Sequence, residues 1–288
     1  MRALPSLEQV IAQYGLATKK SLGQHFLLDD AWLNKITAAA GDLRDVHVLE
    51  IGPGPGGLTR SILAQPVASL TALEKDARCV HALASLVDAA DGKLVVKEVD
   101  ALAEDITTLT SAPRAILANL PYNVGTAMMV QWLQQLAQQG TTAWQSLTVM
   151  LQKEVAERFV ASPRSPAYGR LSILMQWLCH ARIHFDVPPE AFAPPPKVVS
   201  SVLHAVPRAQ PLAPANALSL EKVVAAAFNQ RRKMLRSSLK ALAVPTDALC
   251  DAAGIDATLR AEALEVEQFC ALANAYDLLQ STSTNPSR

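Results

Sequence analysis

Val46-His-Val-Leu-Glu-Ile-Gly-Pro-Gly-Pro-Gly-Gly57 decides the fold. Its first half is a short apolar run, the pattern of a strand buried on both faces. Its second half is a glycine-rich turn that opens a helix at Leu58-Thr-Arg-Ser-Ile-Leu63. Strand, glycine turn and helix N-terminus begin a nucleotide-binding βαβ unit, in which glycines let the backbone approach a ligand closely.

The turn fits two templates. Gly52-x-Gly54-x-x-Gly57 matches the dinucleotide pattern, and Gly52-x-Gly54-x-Gly56 matches that of S-adenosylmethionine enzymes. The next strands narrow the choice. Ala68-Ser-Leu-Thr-Ala-Leu73 ends in Glu74, a carboxylate able to accept both hydroxyls of a ribose for either cofactor. Lys93-Leu-Val-Val-Lys-Glu-Val99 ends in Asp100, an acceptor for an adenine amino group. Arg114-Ala-Ile-Leu-Ala118 ends in Asn119-Leu-Pro-Tyr122. Two acceptors, the Asn119 side chain and the Leu120 carbonyl, then sit beside a stiff proline turn at Pro121 and the flat ring of Tyr122. That set suits a planar group with an exocyclic amine. Open α/β sheets bind ligands at the C-terminal edge of their strands, so four strand ends with adenosine-compatible chemistry converge on one rim.

Upstream, Ser6 and Gln9 form a capping box for a short helix that Gly15 stops. Lys19-Lys-Ser-Leu-Gly-Gln-His-Phe-Leu27 is a basic loop suited to a flap over a ligand, and a helix follows from Asp30. Downstream, Met128, Met129, Trp132, Leu133 and Leu136 form the inward stripe of a helix. Leu147-Thr-Val-Met-Leu151, Arg182-Ile-His-Phe-Asp-Val187 and Val198 to Val206 read as further strands, with a stiff extended loop from Pro188 to Lys197. Proline and alanine mark a linker around 207–216. The rest is helical. Residues 222–240 carry Lys222, Arg231, Arg232, Lys233, Arg236 and Lys240 with no acid, and read as one basic helix, the footprint of a phosphate-binding surface.

The 288-residue chain is half hydrophobic with a formal net charge of zero, so any polyanion surface is a local patch. Four cysteines without a Cys-x-x-Cys pair fit a reducing compartment. No apolar run reaches membrane-spanning length and no export signal is evident, so a cytoplasmic location is expected. Cys179, His180 and His184 lie close together but form an incomplete ligand set, so no metal is expected.

These residues resemble the ribosomal RNA adenine dimethyltransferases. The resemblance is carried, in order, by Lys19-Lys-Ser-Leu-Gly-Gln-His-Phe-Leu27, Leu49-Glu-Ile-Gly-Pro-Gly54, Leu73-Glu-Lys-Asp76, Asn119-Leu-Pro-Tyr-Asn123, Tyr168-Gly-Arg-Leu171, Pro194-Pro-Pro-Lys-Val198 and Phe228-Asn-Gln-Arg-Arg-Lys233. It implies an α/β fold: a Rossmann-like S-adenosylmethionine-dependent methyltransferase domain over 1–207, with an N-terminal flap in 1–30, and a small all-α RNA-binding domain over 208–288. It implies dimethylation at N6 of two adjacent adenines in the 3′-terminal hairpin loop of small-subunit rRNA, late in assembly, by a monomer acting on the precursor subunit. Carried over position by position, the cofactor contacts are His25, Leu27, Gly52, Glu74, Asp100 and Asn119. The catalytic tetrad is Asn119, Leu120, Pro121 and Tyr122. RNA contacts fall to Lys19, Lys20, Arg231, Arg232, Lys233 and Arg236. His25 stands where the best-known relatives carry Asn, and the glycine turn is richer than in some relatives.

Three other readings share part of this pattern. A nicotinamide oxidoreductase accounts for the glycine turn and Glu74 but leaves Asp100 and the Asn119 tetrad without a task. An adenine methyltransferase of large-subunit rRNA or DNA shares the whole cofactor site. A subunit-assembly factor would bind immature subunits and time their release, with methylation secondary.

Overall fold

The computed structural model describes residues 4–16 and 25–283. Ser6 caps α1 (Leu7–Gln13) through the expected reciprocal bonds with Gln9. β1 (Phe26–Leu27) precedes α2 (Asp30–Ala39), which Asp29 caps by accepting from the Ala31 N–H. The βαβ core then runs through β2 (His47–Ile51), α3 (Gly57–Leu63), β3 (Ser69–Glu74), α4 (Ala77–Ala82), α5 (Ala84–Ala89), β4 (Leu94–Glu98) and β5 (Arg114–Asn119). α6 (Gly125–Gln139) and β6 (Ser146–Gln152) follow, and the five residues expected on the inner face of α6 are all buried there. Next come α7 (Lys153–Val160), α8 (Arg170–Leu178), β7 (Cys179–Val187), β8 (Phe192–Ala193) and β9 (Ser200–Pro207).

The main sheet has the order β4-β3-β2-β5-β6-β9-β7. The pairs β4–β3, β3–β2, β2–β5 and β5–β6 are parallel, and β9 lies antiparallel on β6. Chain order reverses between β2 and β5, the switch point at which open α/β sheets hold ligands. The central strands are apolar on both faces: Val48, Leu49, Leu70, Ile116, Leu117 and Val149 are all fully buried. At roughly 1.5–3 kcal/mol per large aliphatic side chain, this core fixes the register and so the position of every strand end.

The segment expected as one extended loop, Pro188 to Lys197, is more structured. A 3-10 turn at Pro189–Ala191 leads into β8, which pairs antiparallel with β1 through Phe26↔Ala193 and Leu27↔Phe192. Main-chain pairing and burial of Phe192 hold it, which proline content alone does not reveal.

Two compact units divide the chain: Met1–Ala156 with Arg182–Pro207, and Glu157–Ala181 with Arg208–Arg288. The expected boundary at 207 therefore needs a correction, because 157–181 groups with the C-terminal helices. The reason is aromatic packing. Tyr168 is fully buried, its ring edge-on to Phe228 at 6.2 Å, and its hydroxyl donates to the Leu264 carbonyl at 2.9 Å. Phe228 in turn stacks on Phe269 at 5.7 Å.

The second unit contains α9 (Ala217–Asn229), α10 (Leu235–Ser238), α11 (Thr246–Ala253) and α12 (Val266–Ser283). The single basic helix expected over 222–240 is absent. α9 stops at Asn229, Gln230 leaves helical geometry, and 230–233 turns into a β-bridge between Met234 and Arg260. Its exit is held by the backbone donors of Leu235 and Arg236, which go to the carbonyls of Leu259 and Ala257. Among the described residues no helix is long and apolar enough to cross a membrane.

Candidate active site

The glycine turn follows β2 at the switch point. Gly52, Gly54 and Gly56 have φ of +68°, +56° and +92°, a region that favours glycine. A Cβ at Gly52 would meet nothing within 4 Å, so the backbone faces open space there. At Gly56 it would lie 2.7 Å from Leu83, and at Gly57 3.1 Å from the Leu27 carbonyl. Glycine at 57 thus lets the β1 strand settle on the start of α3.

Glu74 ends β3 and is 7% exposed. Its Oε1 accepts from the Lys75 and Asp76 N–H groups at 2.8 Å, and its Oε2 from the Gly54 N–H at 3.2 Å. Burial raises its pKa while these three donors pull it down. One carboxylate therefore fixes the glycine turn and its own strand end together. Glu50, in the middle of β2, is the polar group that sequence reasoning passed over. It is 1% exposed, its Oε2 has no partner among the described residues, and burial pushes its pKa up to about 8, with nearby Glu74 adding to the rise.

Asn119 ends β5, and its Nδ2 reaches the His25 carbonyl at 3.5 Å. Its Oδ1 has no partner among the described residues. The Leu120 N–H donates to the Met150 carbonyl, and the Pro121 carbonyl accepts from Val124 and Gly125, so the turn is held from both sides. His25 is half-buried; its ring stacks on Tyr122 at 5.7 Å and its Nδ1 contacts the Pro194 carbonyl at 2.8 Å. The Tyr122 hydroxyl pairs with the Ser200 hydroxyl at 2.7 Å.

His25, Leu27, Gly52, Glu74, Asn119, Leu120, Pro121 and Tyr122 line one cavity of about 100 Å³, together with Phe26 and Phe192. Gly52, Glu74 and Pro121 also line a neighbouring cleft of about 480 Å³, together with Asp100, Val99, Ala101, Leu102 and Met128. Asp100 accepts from Lys75 Nζ at 2.6 Å and from the Leu102 N–H at 3.1 Å, and the lysine first among these holds its carboxyl below the usual range. The first unit thus gathers every expected cofactor and catalytic residue on one rim.

The expected RNA contacts fare differently. Lys19 and Lys20 lie outside the described residues. Arg231 is engaged inside the second unit, with Glu262 at 3.2 Å and with the Ser165 carbonyl at 3.2 Å. Arg232, Lys233 and Arg236 are exposed. Cys179 is buried and its thiol is pushed up to about 12 by burial, whereas His180 is exposed, and no metal-holding group of His, Cys, Asp or Glu occurs among the described residues.

The arrangement suits an adenosyl methyl donor: an open glycine turn, a ribose-type carboxylate, an apolar cleft with an acid at its end, and beside it an amide oxygen without a partner among the described residues. Comparisons with known proteins agree. Residues 15–278 match the family model described as ribosomal RNA adenine dimethylase. The chain is 54% identical to the ribosomal RNA small subunit methyltransferase A of Ruegeria pomeroyi, over 94% of this chain and 96% of that one. It is 53% identical to the protein of the same name from Brucella suis, over 95% and 98%. Among solved structures it superposes on the 23S rRNA methyltransferase ErmE with a TM-score of 0.65 at 27% identity, covering 88% of this chain and 99% of that one. A dimethyladenosine transferase from Plasmodium falciparum gives 0.74 at 22% identity over 89% and 98%, a likeness of fold. The chain belongs to the ribosomal RNA adenine dimethylase family.

Proposed function

We propose that this protein uses S-adenosyl-L-methionine to dimethylate N6 of two adjacent adenines in the 3′-terminal hairpin loop of small-subunit (16S) rRNA, late in subunit biogenesis. The observation that carries the reading is the Asn119 amide at the rim, with its oxygen unpartnered among the described residues, beside a stiff turn and an aromatic ring. The small-subunit target is favoured over a large-subunit one by the relatives above 50% identity, which bear the small-subunit name. The bound donor supplies an electrophilic methyl on a good leaving group. Gly52 offers the close backbone approach, Glu74 the ribose contact and Asp100 the adenine contact, with His25 and Leu27 closing from the flap.

Adenine N6 is a weak nucleophile because its lone pair is delocalised into the ring. Asn119 Oδ1 and the Leu120 carbonyl hold the amino protons out of the ring plane, and Tyr122 stacks on the extruded base. Such stacking is worth roughly 1–3 kcal/mol. Alignment supplies most of the catalysis, and the proton leaves readily once nitrogen is alkylated.

The protein acts as a cytoplasmic monomer without metal, and the exposed Arg232, Lys233 and Arg236 contact phosphates of the precursor subunit, joined by Lys19 and Lys20. Arg231 contributes from a position already tied to Glu262. Paired charge reversal, Arg232→Glu with Lys233→Glu, therefore weakens rRNA binding and lowers the salt slope by about 2 without changing cofactor affinity. An unchanged slope would place the RNA surface elsewhere. Primer-extension mapping of rRNA from a deletion strain tests the whole reading: two neighbouring adenines of the small-subunit hairpin lose their block. A block lost from large-subunit rRNA instead would overturn the target.

A further inference from the structure

Tyr122 is not placed by its own loop alone. Its hydroxyl lies 2.7 Å from the hydroxyl of Ser200, a residue 78 positions further along the chain. Topology explains the meeting. β5 and β6 run parallel and end at the rim, whereas β9 is antiparallel to β6 and therefore starts there, with Ser200 opposite Gln152. The first residue of β9 is delivered to the place where β5 releases its tetrad.

Ser200 is fully buried, so water does not compete for this hydrogen bond. Its own support is firm. The adjacent Ser201, also fully buried, donates to Asp186 Oδ1 at 2.6 Å, and Asp186 Oδ2 is paired with Lys153 Nζ at 2.6 Å. The start of β9 is thus pinned to its neighbours on both sides. The opposite constraint on the ring comes from His25, which lies against its face. A tyrosine ring has two torsions: the held hydroxyl fixes χ1, because it lies on the axis about which χ2 turns, and His25 against the face limits rotation about that axis.

We propose that Ser200 is a positioning residue for methyl transfer: by holding the Tyr122 hydroxyl it fixes where the ring lies, and with His25 against one face it sets the platform on which the target adenine stacks, which matters most for the second methyl. The inference rests on the adenine dimethyltransferase reading above. The first transfer starts from an amine with two N–H donors for Asn119 and Leu120. The second starts from a monomethyl amine with one donor and more bulk, so ring stacking carries a larger share of its alignment.

The test is a double-mutant cycle of Ser200→Ala and Tyr122→Phe, read by mass spectrometry of methylated adenines on precursor subunits. Either single variant lowers turnover of the second methyl about tenfold, the ratio matching one hydrogen bond at the upper end of its usual worth. Monomethyl adenine accumulates, and the double variant is no worse than either single one. Cofactor affinity and melting temperature serve as controls for a loss of fold. Additive effects, or equal loss at both methyl steps, would overturn the role of Ser200. Wild-type protein that methylates no adenine would instead overturn the reading on which the inference stands.

Discussion

Asn119→Ala lowers single-turnover methyl transfer by about 10²- to 10³-fold, the range that one preorganised polar contact at a reacting centre contributes. Cofactor affinity, measured by calorimetry, falls far less. The two effects separate because of where the side chain sits. Asn119 is the last residue of β5, and its neighbour Leu120 is 1% exposed and bonded to Met150, so the backbone that presents the amide survives truncation. What is removed is the Oδ1 acceptor and the Nδ2 contact to the His25 carbonyl. The ribose-type carboxylate of Glu74, held by three N–H donors, is untouched. Glutamine at this position keeps the amide but moves it by one methylene, and recovers little of the rate. Equal loss of turnover and cofactor affinity would remove Asn119 from the amine and make it a cofactor ligand only.

The rim was legible in the sequence because strand ends are. Apolar runs stop at Gly52, Glu74, Asp100 and Asn119, and a parallel sheet brings such ends to one edge whatever the loops do. The β1–β8 ribbon and the Tyr122–Ser200 bond were not legible, since both join segments far apart in sequence. Nothing local in Pro188 to Lys197 announces a strand partner. The end of α9 was hidden for a different reason: Asn229-Gln230-Arg231-Arg232 has neither glycine nor proline, and the turn is held by backbone pairing with 257–259. Likewise nothing local to Tyr168 reveals its burial against Phe228, which assigns 157–181 to the helical unit. Glu50 escaped notice because a carboxylate in a strand gives no sign of which neighbours will cover it.

That buried acid leads to the second large effect, Glu50→Gln, which stabilises the cofactor-free protein at neutral pH. Glu50 is 1% exposed and desolvation raises its pKa from 4.5 to about 8. Thr59 pulls the other way, yet among the described residues neither the Thr59 hydroxyl nor Glu50 Oε2 completes a hydrogen bond of normal geometry, so burial wins. Between these two pH values the folded state holds a proton that the unfolded state has released. Stability from this group therefore falls as pH rises, by up to about 1.4 kcal/mol per pH unit. At pH 7 the accumulated loss is roughly 3 kcal/mol. Glutamine carries no such dependence: the variant melts higher than wild type at pH 7 to 8, and the difference shrinks towards pH 5. Equal melting temperatures across this range would mean that Glu50 ionises freely.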